Sequence, residues 1–126
     1  MARSKQRSNR KASGGRYHSG KRGKKKYELV GFPAMTKVDP KTKLRAKRVL
    51  GGHNKYSLLT TNKINVFDKK GKATITEILN VVENPANPNL VRRNIMTKGA
   101  IVETKLGRAR VTNRPGQEGG INGVLI

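Results

Sequence analysis

The first 26 residues, MARSKQRSNRKASGGRYHSGKRGKKK, set the tightest limit on what this chain can become. They hold eleven Lys or Arg side chains, no Asp or Glu, and almost nothing to bury. Mutual repulsion among those cations opposes any compact form, so the segment is expected to be disordered alone and to order on a partner of opposite charge. A core must therefore come from the rest, which divides the chain into a basic N-terminal extension, residues 1–26, and one small domain, residues 27–126. The rest is basic too. Of the 29 Lys and Arg, 18 lie beyond residue 26 against all 7 acids, and the formal net charge is +22. Such a chain repels itself and attracts polyanions, with nucleic acid ahead of an anionic membrane surface as the partner class.

Residues 27–126 read as strand after strand. Only 33% of the chain is hydrophobic and 4% aromatic, so the core is small and gains stability by mass action when a polyanion binds. Leu44, Ala46 and Leu50 fall on one face of a period-two pattern, and KYSLLTTNKINVFD continues in β-branched and aromatic residues. DKKGK then supplies Gly71 where a short hairpin wants a left-handed residue. In residues 72–82 a helical stripe through Ile75, Ile78, Leu79 and Val82 competes with strand. The β-branched run Thr74, Ile75, Thr76, with Val81 and Val82 behind it, decides for strand. AIVETKLGRARVT sets Gly107 between two alternating runs, with Glu103 able to offset arginines across the turn. The last apolar run, INGVLI, can close a sheet. Short strands and glycine turns with little helix signal describe an all-β barrel or sandwich.

Motifs for catalysis fail one by one. GRYHSGKR, residues 15–22, spaces Gly15, Gly20 and Lys21 as a phosphate-binding loop does. Arg22 stands where Ser or Thr would hold magnesium, and no apolar strand precedes it. His18 and His53 are the only histidines, and without cysteine they form no zinc-ligand set. The seven carboxylates show no pairing suited to acid/base chemistry. The expectation is a protein that is not an enzyme and uses no cofactor, metal or small-molecule substrate. The lack of cysteine fits a reducing compartment, and no apolar run approaches the ~20 residues of a membrane span. The Arg- and Ser-rich start is similar to a transit peptide but lacks an apolar helical face, and GKRGKKK doubles as a generic nuclear-localisation patch.

The residues best suited to nucleic acid lie where bases meet special backbone. ENPANPNLVRRN, residues 83–94, carries two Asn-Pro pairs that make Asn84 and Asn87 poor helical positions, so it reads as a shaped loop. It presents Arg92 and Arg93, whose planar guanidinium forks suit phosphate oxygens. GGHNK, residues 51–55, lets backbone approach a phosphate beside Lys55, and Arg114 precedes Pro115. Among the tail cations Tyr17 offers a face for stacking on an unpaired base, whereas Tyr27 reads as the start of the core.

VVENPANPNLVRRNIMTKGAIVET and LGRARVTNRPGQEGGINGVLI, with SGGR, KKYEL and PAMTKV upstream, closely resemble the small-subunit ribosomal protein eight-e family of archaea and eukaryotes, in a form of archaeal length. The resemblance implies an all-β fold, a small closed or nearly closed β-barrel with a basic, extended N-terminal tail. It also implies a structural constituent of the small ribosomal subunit, cytoplasmic and in the ribosome, with small-subunit ribosomal RNA and neighbouring small-subunit ribosomal proteins as partners and no membrane. Carried to this chain, it marks Arg16, Lys25, Lys26, Arg92, Arg93, Asn94 and Arg114 as RNA-facing. Charge and turn chemistry add Arg3, Arg7, Arg10, Lys11, Tyr17, Lys21, Arg22, Lys24, His53, Asn54, Lys55 and Lys98. The alternative is a basic architectural protein that uses the same charge on duplex DNA.

Overall fold

The computed structural model describes residues 8, 10–18, 31–68 and 71–126. The chain divides into two units, Met1–Pro33 and Ala34–Ile126, and the second holds every strand found among the described residues. Among the described residues seven strands follow in order: β1 (Lys43–Arg48), β2 (Asn54–Thr60), β3 (Lys63–Phe67), β4 (Ala73–Glu83), β5 (Ile101–Thr104), β6 (Gly107–Val111) and β7 (Asn122–Leu125). The last five close into a barrel in the order β3-β4-β5-β6-β7. Its ladders are antiparallel except where β7 lies parallel to β3, pairing Asn65 with Asn122 and Phe67 with Val124. The all-β barrel anticipated from the sequence is thus the fold, and INGVLI supplies the closing strand.

Alternation builds the interior. Ile64 and Val66 of β3, Ile78 and Val81 of β4, Val102 of β5, and Ala109 and Val111 of β6 point inward, while their neighbours face outward. Leu58, Met96, Ala100 and Ile121 fill the remaining space. Among the described residues no aromatic ring joins this core, as suits the narrow bore of a five-stranded barrel. Each large aliphatic side chain buried there contributes roughly 1.5–3 kcal/mol of transfer free energy. Gly123 marks the tightest point. A Cβ at that position would lie 2.9 Å from Ile64 Cδ1 and 3.1 Å from the Arg110 carbonyl oxygen, so β7 can reach its partners only with glycine there.

The stretch 72–82 is strand from Ala73 onward, as the β-branched run requires. β4 is eleven residues long, with register shifts between Ile78 and Asn80 and between Val81 and Glu83. Such bulges bend a long strand, here between β3 on one side and β5 on the other. The Gly71 turn also forms as expected, with φ +79 at Gly71 and the Asp68 amide donating to the Lys72 carbonyl at 3.0 Å.

Strands β1 and β2 stay outside the barrel as a two-stranded antiparallel ribbon. All six β1 residues are exposed, and only the base of the ribbon enters the core, through Leu58. The shared face expected for Leu44, Ala46 and Leu50 is corrected here. Leu44 and Ala46 lie on β1, but Leu50 is 96% exposed in the 3-10 turn Leu50–Gly52 at the ribbon tip. Because β1 pairs with nothing but β2, its alternation covers no core.

The stretch 83–94 is corrected in part. It leaves β4 and winds a short 3-10 helix, Pro88–Arg93, rather than remaining a loop throughout. Pro88 sits in the first turn, where its missing amide hydrogen costs nothing, and the Asn87 side chain caps the start by accepting from the Asn89 amide at 2.9 Å. Asn84 is 1% exposed. It donates to the Ile95 carbonyl and accepts from the Ala86 amide and the Thr97 hydroxyl, which pins the corner to the barrel.

Candidate nucleic-acid interface

The ribbon concentrates positive charge in one piece of structure. Between Pro40 and Asn62 the chain has no carboxylate, and β1 alone carries Lys43, Arg45, Lys47 and Arg48. Register sorts these by face. Arg45 pairs with Ser57 and Lys47 with Lys55, so three cations share one side. Leu44 with Leu58, Ala46 with Tyr56, and Arg48 with Asn54 occupy the other. Lys47 and Lys55 stand directly opposite each other, an arrangement that is destabilising unless an anion lies between them. At the tip Gly51 and Gly52 take φ +75 and +79, and a Cβ on Gly51 would meet the His53 ring at 3.1 Å. GGHNK is therefore the turn of a basic arm, with His53, Asn54 and Lys55 all exposed.

The corner after β4 forms a second basic surface. Arg92 and Arg93 end the 3-10 helix and are exposed, with the favourable charge for a helix C-terminus. Asn94, marked as RNA-facing, also has a backbone role. It takes the left-handed conformation at φ 49, its amide donates to the Leu90 and Val91 carbonyls, and its own carbonyl accepts from the Val38 amide at 3.2 Å. Its backbone role is thus to end the helix and hold residues 37–38 in place. Lys98 is exposed nearby in sequence. Arg114 is also exposed, on a turn in which its carbonyl accepts from the Gln117 and Glu118 amides. The Asn113 side chain fastens that turn to Glu118, Gly120 and Asn122.

In the N-terminal unit, residues 10–16 form a closed turn. Arg10 and Arg16 bridge as in an antiparallel pair, the Lys11 amide donates to the Gly15 carbonyl at 2.7 Å, and the Arg10 guanidinium donates to the Gly14 carbonyl at 3.1 Å. The Lys11 ammonium lies 5.9 Å from the centroid of the Tyr17 ring, within cation–π range. Arg10, Lys11, Arg16 and Tyr17 are thereby brought together, with His18 exposed just beyond. Arg3, Arg7, Lys21, Arg22, Lys24, Lys25 and Lys26, along with Tyr27, lie outside the described residues.

Lys43, Arg45, Lys47 and Arg48 are the cations that sequence reasoning passed over. Their signal was the run KLRAKR, in which bases recur at every second position beside a glycine turn. On the barrel itself the charge is mixed. Lys105 pairs with Glu77 at 2.5 Å and, by that hydrogen bond and its charge, holds the Glu77 carboxyl below the usual carboxylate range, with Lys63 adding to the effect. Among the described residues no three His, Cys, Asp or Glu come together as a metal site, and no helix is long and apolar enough to cross a membrane.

These features define a class, a small and strongly basic β-barrel protein with a projecting cationic ribbon. Residues 4–126 match the family model for Ribosomal protein S8e. The chain is 53% identical to the small ribosomal subunit protein eS8 of Methanobrevibacter smithii over the full length of both. It is 52% identical to eS8 of Methanocorpusculum labreanum, covering 93% of each chain, and 46% identical to that of Nanoarchaeum equitans, covering 89% of this chain and 88% of the relative. The chain belongs to the ribosomal protein S8e family.

Proposed function

We propose that this protein is a structural constituent of the small ribosomal subunit, in the cytoplasm, and that it binds small-subunit ribosomal RNA chiefly through backbone phosphates. Membership in the family supports the subunit role and a non-enzymatic one. For RNA binding the single observation that carries most is the ribbon. Lys47 and Lys55 face each other in register, with Arg45 beside them and no carboxylate between residues 40 and 62. Phosphates relieve that repulsion, and a scaffolded arm holds the cations at fixed spacing for them. Arg92, Arg93, Lys98 and Arg114 extend the contact from the barrel, and the eleven cations of residues 1–26 add to it. Asn94 serves by placing Arg92 and Arg93.

Sedimentation tests the subunit role. Co-migration with small subunits through a high-salt wash is expected, and release into the soluble fraction would contradict it. Competition between folded ribosomal RNA and duplex DNA tests the partner. Preference for the RNA is expected, and equal binding would mean that charge alone is at work.

A further inference from the structure

The two faces of the ribbon offer different chemistry. Arg45, Lys47 and Lys55 share the face that suits phosphates, and the register puts Leu44, Ala46, Arg48, Asn54 and Tyr56 on the other. On that second face Leu44 is 51% exposed and Tyr56 49%. Leu58, opposite Leu44, is buried, so the face runs from the barrel core at the ribbon's base to open apolar surface and then to Arg48 toward the tip. Tyr56 stands in its middle. The cross-strand partner of Tyr56 is Ala46, whose single methyl group leaves room beside the ring. Its stem lies against the loop before β7, where a Cβ on Gly119 would be 3.6 Å from both Tyr56 Cβ and Leu44 Cδ2. Two acids stand at the base of the ribbon, and both are engaged: Asp39 accepts from the Lys41 amide and Glu118 from the Asn113 side chain, each at 2.9 Å.

We infer that Tyr56 is a stacking platform for an unpaired nucleobase of the RNA, with Arg48 on the phosphate that flanks it. An aromatic ring set between Leu44 and Ala46 gives nothing to a phosphate. It matches the apolar plane of a base, and the lack of any carboxylate between Pro40 and Asn62 selects a polyanion to bring that plane. In a duplex the base planes are already stacked on one another and only the backbone and groove edges are open, so the nucleotide lies in a loop, a bulge or a strand end. The inference rests on the RNA binding proposed above and deepens it: phosphate contacts hold the ribbon, and Tyr56 selects where on the folded RNA it can sit.

The affinity of the full-length protein for small-subunit ribosomal RNA, measured across a salt series with Tyr56→Leu and Tyr56→Phe, tests it. Tyr56→Leu should weaken binding roughly 5- to 100-fold at every salt concentration and leave the log–log slope unchanged, because a stacked base releases no counterions. Tyr56→Phe keeps the ring and should bind as the wild type does. A Leu variant that binds like the wild type, or a Phe variant that loses as much as Leu, overturns the inference. The wild-type protein gives an independent reading, since ultraviolet irradiation of the complex should join Tyr56 to a nucleotide that reacts with single-strand-specific probes in the free RNA. No adduct at Tyr56, or adducts to duplex nucleotides alone, also overturns it. A wild-type slope near zero would remove the phosphate reading and this inference with it, whereas a steep slope with no effect of Tyr56→Leu removes stacking alone, so the two failures are distinguishable.

Discussion

The β1–β2 ribbon and the β4–β5 face of the barrel are both antiparallel pairs, yet they solve opposite problems. In β4 and β5 alternation separates a buried row, Ile78, Val81 and Val102, from an outer row where glutamates mix with aliphatics. In β1 alternation separates nothing, since all six residues are exposed and both faces carry cations. The barrel pair is held by its core. The ribbon is anchored at its base by Leu58, the Leu58 amide bond to the Pro115 carbonyl at 2.9 Å, and the Ser57 hydroxyl bond to Gly116 at 2.9 Å. Strand geometry thus serves stability in one place and the display of charge in the other.

Neutralising the ribbon should separate the two most sharply. Changing Lys43, Arg45, Lys47, Arg48 and Lys55 to Gln should cut the log–log salt slope of RNA binding by about 3.5, at about 0.7 per phosphate lost. Because these side chains cover no core, and Lys47 and Lys55 repel each other, thermal melting should not fall. A fall in melting temperature with an unchanged slope would reverse the roles assigned to the two regions. As the counterpart, Glu77, Glu83 and Glu103 changed together to Gln should leave the slope where it was, measured in the same titration.

Substitutions under the barrel should do the opposite. Asn84→Ala removes three hydrogen bonds and strands buried partners, at a cost of about 2 kcal/mol in denaturant unfolding. Gly123→Ala presses a methyl group toward the Arg110 carbonyl and should cost about 1–3 kcal/mol. Asn94→Ala places a less tolerant residue at φ 49 and should cost about 1 kcal/mol, whereas Asn94→Gly should be nearly neutral. If Asn94→Gly weakens RNA binding as much as Arg93→Gln does, the side chain touches RNA and the backbone role is incomplete.

The smallest effect concerns the exposed ion pair. The folded-state pKa of Glu77 lies below its unfolded value, so the stabilisation is complete above the unfolded value and is lost as pH falls through the folded one. Both partners are largely exposed, so the change in stability is slight. Lys105→Met should still raise the Glu77 pKa toward the ordinary carboxylate range in a carboxyl-detected NMR titration.

Strand alternation, the Gly71 turn, the hairpin around Gly107 and the closing strand were legible in the sequence because a barrel interior enforces period two. The ribbon was not. KLRAKR alternates as well as any core strand, and no local signal says whether a third strand will cover its Leu44 face. Asn84 was misleading for another reason, since Asn before Pro reads as a turn residue, while its burial depends on Ile95 and Thr97 about a dozen positions away. For the proposed interface, charge beside special backbone marked Arg92, Arg93, His53 and Lys55, and all four are exposed. The four cations of β1 were hidden by a hydrophobic pattern that buries nothing.

The most direct test is the affinity of the full-length protein for small-subunit ribosomal RNA, measured across a series of salt concentrations. With roughly eight phosphates neutralised, the account predicts a log–log slope of about −6 on the single-strand scale. Binding that barely changes with salt would contradict it, because the contact would then not be made by the cations of the ribbon, the corner and the extension.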